Sequence, residues 1–407
     1  MQKRPLEFSI KTRSEKSRAR TGVIKTLHGE IRTPAFIPVG TKATVKGITP
    51  EMLKDLKAEA VLANTYHLYL QPGEEIIKSH GGLHKFMNWS GPTFTDSGGF
   101  QAFSLGVALG KNITKFTAAS RPDFDEIALK SSGHRADMEN AMIPAKIDES
   151  GVMFRSIIDG SAHYFTPKKS IEIQQAIGAD IIFAFDECTS PHEPIEYQKR
   201  SLDRTHRWAL ESLKTHIDNT EAFSKQALFG IVQGGRHEDL RKESAKFISE
   251  LSHEGVEFDG FGIGGSFEKE DMMTAVAWVN SILPENKPRH LLGIGEPADV
   301  IKGVKEGCDT FDCVMPTRNA RTGTVFFDKG DLEYENLNLK NAKYKTDMNP
   351  IDSKCDCYTC QNYTRSYLNH LYKSGEMLAG TLATIHNLRF MTKFMEELRG
   401  KIDNGEI

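Results

Sequence analysis

Asp312 lies within the apolar run Thr310-Phe-Asp-Cys-Val, toward the end of a candidate strand, and Arg318 and Arg321 follow it within nine residues. A carboxylate at the end of a buried strand is a candidate nucleophile. Two guanidinium groups three residues apart can clamp phosphates or bases, or can simply form a solvated charged face. A second aspartate, Asp96, sits in Phe94-Thr-Asp-Ser-Gly-Gly-Phe100, where Ser97 and two glycines leave backbone N–H groups open to a ligand. Two carboxylates on one rim could divide nucleophilic and acid–base duties, as in retaining glycoside chemistry. Each could instead cap the helix that follows it.

Asp186, Gln233 and the pair Gly264-Gly265 offer an acceptor, an amide and a bare N–H. That set could read the edge of a purine-like ring; caps and turns are the other use for such residues. Gly262-Ile-Gly-Gly-Ser266 fails the phosphate-loop patterns, because no Gly-Lys-Ser/Thr follows and the glycine spacing differs. Cys355, Cys357 and Cys360, with His386 farther on inside a helical run, suit a closed tetrahedral zinc site without an open position, and therefore a structural one. His370 is the rival fourth ligand. The alternative is buried free thiols beside a core histidine. Cys188, Cys308 and Cys313 are scattered and read as small buried side chains.

The elements that must position these groups are short apolar runs: Phe36–Val39, Ala60–Ala63, Thr93–Thr95, Ile181–Phe185, Leu228–Val232, Phe261–Ile263, His290–Ile294 and Thr310–Val314. Helical patterns at Ile195–His216, His237–Leu251 and Lys269–Ile282 connect some of them. Eight strand–helix units predict an α/β fold, a (β/α)8 TIM barrel, with a doubly wound sheet as the alternative. Polar residues and glycines end most runs, which in a barrel places them on the catalytic face. Residues 107–147 read as a polar insertion, followed by a hairpin through Gly151–Ile158 and Ala162–Phe165 that turns at Asp159-Gly160. Residues 1–330 are expected to form the barrel, and 331–407 a zinc-binding subdomain with C-terminal helices.

The chain has 407 residues, 39% hydrophobic and 26% charged, with a net charge of −3. Any basic surface for nucleic acid must therefore be local. No apolar run reaches membrane-spanning length, and the first residues lack a signal-peptide core, so a cytoplasmic location is expected.

The chain resembles the tRNA-guanine transglycosylases, most closely the bacterial queuine tRNA-ribosyltransferase type. The matching segments are Val39-Gly-Thr-Lys-Ala-Thr-Val-Lys, Asn64-Thr-Tyr-His-Leu, Thr95-Asp-Ser-Gly-Gly-Phe-Gln, Phe185-Asp-Glu-Cys, Arg204-Thr-His-Arg-Trp-Ala, Gly230-Ile-Val-Gln-Gly-Gly and Phe311-Asp-Cys-Val-Met-Pro-Thr-Arg-Asn-Ala-Arg. The cysteine cluster and Ile385-His-Asn-Leu-Arg complete the set. The resemblance implies exchange of the wobble guanine of tRNA with a GUN anticodon for a 7-deazaguanine base, by double displacement through a covalent enzyme–RNA intermediate, in queuosine biosynthesis. It makes Asp312 the nucleophile and Asp96 the general acid/base. It assigns the base pocket to Ser97, Phe100, Asp186, Gln233, Gly264, Gly265, Leu292 and Gly293, with Phe100 and Leu292 on the two sides of the ring. It places Arg318 and Arg321 on the RNA. One structural Zn2+ per subunit and a homodimer are also implied.

Two departures stand out. The family pattern Gly-Gly-Leu-x-Val-Gly-Glu is here Gly264-Gly-Ser-Phe-Glu-Lys-Glu270, which puts Glu268 near the 7-substituent. Cys188 after Asp186-Glu187 follows the bacterial pattern for 7-aminomethyl-7-deazaguanine. The other departure is the insertion directly after the Asp96 loop. Rival readings are a catalytically silent partner subunit, base insertion into DNA or at another tRNA position, and a zinc-stabilised sugar hydrolase.

Overall fold

In the computed structural model, residues 4–107, 145–265 and 270–407 are described. The eight apolar runs form parallel strands: β1 (Ala35–Pro38), β2 (Val61–Ala63), β3 (Thr93–Thr95), β4 (Ile181–Phe183), β5 (Ala227–Val232), β6 (Gly260–Ile263), β7 (Arg289–Leu291) and β8 (Thr310–Cys313). They hydrogen-bond in the order β1-β8-β7-β6-β5-β4-β3-β2. A parallel bridge between Val39 and Leu62 joins the two ends, with Gly40 N–H donating to Leu62 O at 2.7 Å. The sheet is therefore a barrel, and the doubly wound alternative falls away. Every residue of β5 is buried, as a parallel strand covered on both faces requires.

The helices that concern function are α1 (Gly99–Val107), α2 (Pro167–Ile177), α3 (Ile195–Asp218), α4 (Glu238–Glu250), α5 (Met272–Asn280), α6 (Pro297–Lys305), α7 (Met315–Thr322), α8 (Arg365–Ser374) and α9 (Met377–Asp403). Helix α2 shows why such segments start and stop where they do. Thr166 accepts the Lys169 N–H at 3.1 Å, Pro167 opens the first turn, and Gly178 ends the helix at φ +77°. On α4 the buried positions are Leu240, Arg241, Ser244, Ala245 and Ile248, a helical stripe with an arginine inside it.

The chain divides into two compact units. The first comprises Met1–Leu6, Asn64–Leu83 and Phe94–His290. Its core holds the rings of Phe94, Phe183, Phe229 and His290, with centroids of neighbouring pairs 5.3–5.6 Å apart. The predicted hairpin is present: Val152–Arg155 pairs antiparallel with Ala162–Phe165, and Lys146–Ile147 adds a third strand. Its first strand ends at Arg155, because Ser156 turns the chain by accepting from the Ile158 N–H.

The second unit comprises Glu7–Ala63, His84–Thr93 and Leu291–Ile407. It contains an antiparallel sheet of Glu7–Arg13, Arg20–Thr26 and Gly29–Thr33, and a hairpin of Thr324–Gly330 with Glu333–Asn338. The apolar runs of the sequence point to none of these strands. Asp309, just before β8, forms a two-bond ion pair with Arg20 at 2.7 and 2.9 Å, and both side chains are at most 3% exposed. Removing one partner of such a pair costs about 3–5 kcal/mol, so this pair fixes the start of the strand whose end carries Asp312.

Two buried histidines give the fold an acid limit. Burial pushes His206 and His216 down to about 4, against an ordinary value near 6.5. Unfolded, they take up protons as the pH falls below about 6.5, whereas folded they stay neutral until about 4. Their stabilisation is thus complete above pH 6.5 and lost progressively toward pH 4, on the order of 3 kcal/mol each at the acid end. Urea unfolding followed from pH 7.5 to 5.5 should show falling stability. His206→Gln should flatten that slope; an unchanged slope would show that His206 does not set it.

Candidate active site

Asp96 follows β3, and three N–H donors hold its carboxylate. Oδ1 accepts from the backbone of Thr65 at 2.8 Å; Oδ2 accepts from the side-chain amides of Asn64 at 2.6 Å and Gln101 at 2.8 Å. Asn64 and Thr65 leave the end of β2, and Gln101 lies on α1. All three donate, and together they take up three of the roughly four lone-pair sites on the two oxygens. The carboxylate is oriented from two neighbouring strand ends.

Beside it, Ser97 Oγ donates to Asp186 Oδ1 at 3.0 Å, and Gln233 Nε2 donates to Asp186 Oδ2 at 2.6 Å. Asp186 follows β4, Gln233 follows β5, and all three side chains are buried. Gln233 is placed in turn by its own N–H, which donates to Ser244 Oγ of α4 at 3.2 Å. Gly264 follows β6, and a Cβ there would lie 2.6 Å from Gln233 Nε2, so only glycine admits this amide. The proposed acceptor, amide and bare N–H therefore lie together. The next residue, Glu187, turns the other way, as alternation along an extended chain demands. Its carboxylate accepts from Tyr197 Oη at 2.6 Å and from Arg204, both on α3. Of the two acids at this strand end, Asp186 bonds to Ser97 and Gln233, and Glu187 bonds to α3.

In the second unit, Asp312 lies one residue before the end of β8 at 9% exposure, and its Oδ1 accepts the Gly293 N–H at 2.7 Å. Gly293 adopts φ +74°, a conformation natural to glycine, which directs that N–H at the carboxylate. Helix α7 has Val314 at its N-cap and no side-chain cap, so capping is not what Asp312 does. Arg318 and Arg321 lie three apart on α7, each half-buried. Arg321 Nη1 donates to Thr317 O at 3.0 Å. Phe100 and Leu292 are half-buried, on α1 and directly after β7.

The metal candidates converge. The ligand atoms of Cys355, Cys357, Cys360 and His386 lie within 4.8 Å of one another, and all four residues are buried. His386 Nδ1 is 3.2 Å from Cys360 Sγ and 3.8 Å from Cys357 Sγ. Tetrahedral bonds of ordinary Zn–S and Zn–N length put such atoms about 3.5 Å apart. His386 Nε2 is 2.6 Å from the Phe326 carbonyl and donates to it, which leaves the Nδ1 lone pair for a metal. Hydrogen bonds from Cys355 and Cys360 hold Cys357 well below the ordinary thiol range, which favours the thiolate that a metal needs. The residues fit a bound metal. His370 is exposed on α8 and is not part of this group.

Sequence reasoning passed over Asn64, Thr65 and Gln101 as holders of Asp96, although all three lie in segments carrying the family resemblance. The Phe326 carbonyl, the outer partner of the histidine ligand, has no sequence signal. Most of the 107–147 insertion, and Glu268, lie outside the described residues. Among the described residues, no helix is long and apolar enough to cross a membrane.

Comparison with known proteins gives a concordant result. The family model described as queuine tRNA-ribosyltransferase matches residues 14–126 and 107–407. The queuine tRNA-ribosyltransferase of Thermoanaerobacter sp. (strain X514) is 48% identical over 397 residues, 98% of this chain and 93% of the relative. That of Halothermothrix orenii is 45% identical over 397 residues, covering 98% and 94% of the two chains. That of Acinetobacter baumannii (strain AYE) is 44% identical over 394 residues, covering 96% and 92%.

Proposed function

The chain belongs to the queuine tRNA-ribosyltransferase family of transferases, and we propose that it exchanges the wobble guanine of a GUN-anticodon tRNA for a 7-deazaguanine base. An Asp312 oxygen attacks C1′ of the wobble ribose, the C1′–N9 bond breaks, and its electron pair leaves with guanine, which takes a proton from Asp96 acting as general acid. The incoming base gives its N9 proton to Asp96. Its N9 then attacks C1′ and releases the Asp312 carboxylate. Two inversions retain the configuration. The observation that carries this reading is Asp312: a carboxylate 9% exposed at a strand end, oriented by a backbone N–H at 2.7 Å and not employed in capping α7.

Asp186, Gln233, Ser97 and the Gly264-Gly265 peptide bind the base edge in this scheme, with Phe100, Leu292 and Gly293 completing the pocket. Support comes from the Ser97–Asp186–Gln233 hydrogen bonds, which give Asp186 two donors that a purine edge can replace. Arg318 and Arg321 hold the anticodon loop. The metal at Cys355, Cys357, Cys360 and His386 is zinc and structural, since four protein ligands leave no open position. The active species is a homodimer.

The direct test supplies labelled guanine with GUN-anticodon tRNA. Label should enter the tRNA, and should not enter one with adenine at the wobble position. Absence of incorporation by folded, zinc-loaded protein would reject the reading. With unlabelled competitors, 7-aminomethyl-7-deazaguanine should be used in preference to the neutral 7-cyano base, as Cys188 after Asp186-Glu187 suggests. Equal use of the two would remove that preference.

A further inference from the structure

Arg241, on the buried stripe of α4, is 0% exposed. A guanidinium is almost never fully buried unless its donors are used. Here Nε donates to Gly235 O at 2.7 Å, and Nη1 donates to Gly264 O at 2.7 Å and Val232 O at 3.3 Å. Val232 ends β5, Gly235 lies in the loop behind it, and Gly264 follows β6. One planar cation thus ties together carbonyls from two adjacent strand ends. The Gly264 N–H also donates to Val232 O, at 3.0 Å, so the two ends are coupled directly as well.

The Gly264–Gly265 peptide is confined on two sides. A Cβ on Gly264 would lie 2.6 Å from Gln233 Nε2, and one on Gly265, at φ +122°, would lie 2.2 Å from Arg241 Nη2. In a trans peptide the C=O and the following N–H point in opposite directions. The Gly264 carbonyl is turned onto Arg241, so the Gly265 N–H is turned away from it. We propose that Arg241 is a positioning residue for base recognition: by holding the Gly264 carbonyl it presents the Gly265 N–H to the 6-oxo group of the bound purine. This rests on the base-exchange reading and gives its purine pocket one more determinant. Arg241 itself does not touch the base.

The test compares guanine with 2-aminopurine, which keeps the ring and the 2-amino group but lacks the 6-oxo group, as ligands of zinc-loaded protein. Wild-type protein should bind guanine the more tightly. Arg241→Lys keeps the charge but cannot span three carbonyls with a planar fork. It should shrink the guanine preference about tenfold, the worth of one misplaced hydrogen bond, with 2-aminopurine binding changed less than about twofold. If both ligands weaken together, or the ratio stays unchanged while wild type still exchanges guanine, this inference alone is overturned. If wild type exchanges no guanine, the parent reading falls and this inference with it. Arg241→Gln serves as a second variant. Failure of both to fold, judged by zinc content and cooperative melting, would make Arg241 a structural residue only and overturn the proposal.

Discussion

Replacing Asp312 by asparagine should abolish base exchange, with a loss on the order of 10^4-fold or more, because a neutral amide cannot serve as the carboxylate nucleophile. The fold should survive the change. Asparagine has the same shape, and its Oδ1 can still accept the Gly293 N–H that Asp312 accepts at 2.7 Å. The melting temperature should therefore move by only a few degrees. A variant that keeps more than about a hundredth of wild-type exchange would remove Asp312 from the nucleophilic role. Asp96→Asn separates the two carboxylates: it should slow proton transfer to and from the base but leave Asp312 able to attack.

Loss of the metal should have the second largest effect, and on folding rather than chemistry. The cluster joins the Cys355–Cys360 loop to α9, and His386 joins both to the Phe326 strand through its 2.6 Å contact with the carbonyl. Asn387 extends the same junction, since its Oδ1 accepts the Phe326 N–H at 3.1 Å and its Nδ2 donates to Pro316 O at 2.9 Å. Pro316 lies on α7, the helix that carries Arg318 and Arg321. Ordering of this junction is linked to metal binding, whose free energy in small zinc domains is about 10–16 kcal/mol. Metal analysis should find about one zinc per chain. Cys357→Ala, or removal of zinc by a strong chelator, should lower the melting temperature by about ten degrees or more, on the order of several kcal/mol. Activity should fall in step with folded protein. Cooperative unfolding at an unchanged temperature without metal would contradict the structural assignment.

The barrel was legible because its strands are buried on both faces, so most read as short, largely apolar runs. All eight were located, with ends within two residues except at Ile294, where the apolar run outlasts the ladder by three. The sheet of Glu7–Thr33 escaped notice because its first strand alternates exposed and half-buried residues and offers only Phe8 and Ile10 as large apolar groups. Within the proposed site, residue type and position near a strand end pointed to Asp96, Asp186, Gln233 and Asp312. What single-chain spacing does not carry is the side-chain bond between distant segments. Asn64 reaches Asp96 across 32 residues, and Gln233 reaches Asp186 across 47. Arg241 was hidden for a further reason: an arginine in a helix reads as solvated unless the burial of its face is known.

The central claim is a covalent bond between Asp312 and the ribose of the wobble nucleotide. Wild-type protein mixed with GUN-anticodon tRNA should be denatured without added base, digested with protease and nuclease, and its adduct mapped by mass spectrometry. The account predicts a ribonucleotide fragment that has lost guanine, attached through C1′ to the peptide containing Asp312 and absent from Asp312→Asn. An adduct on the Asp96 peptide, or one that persists in Asp312→Asn, would contradict it.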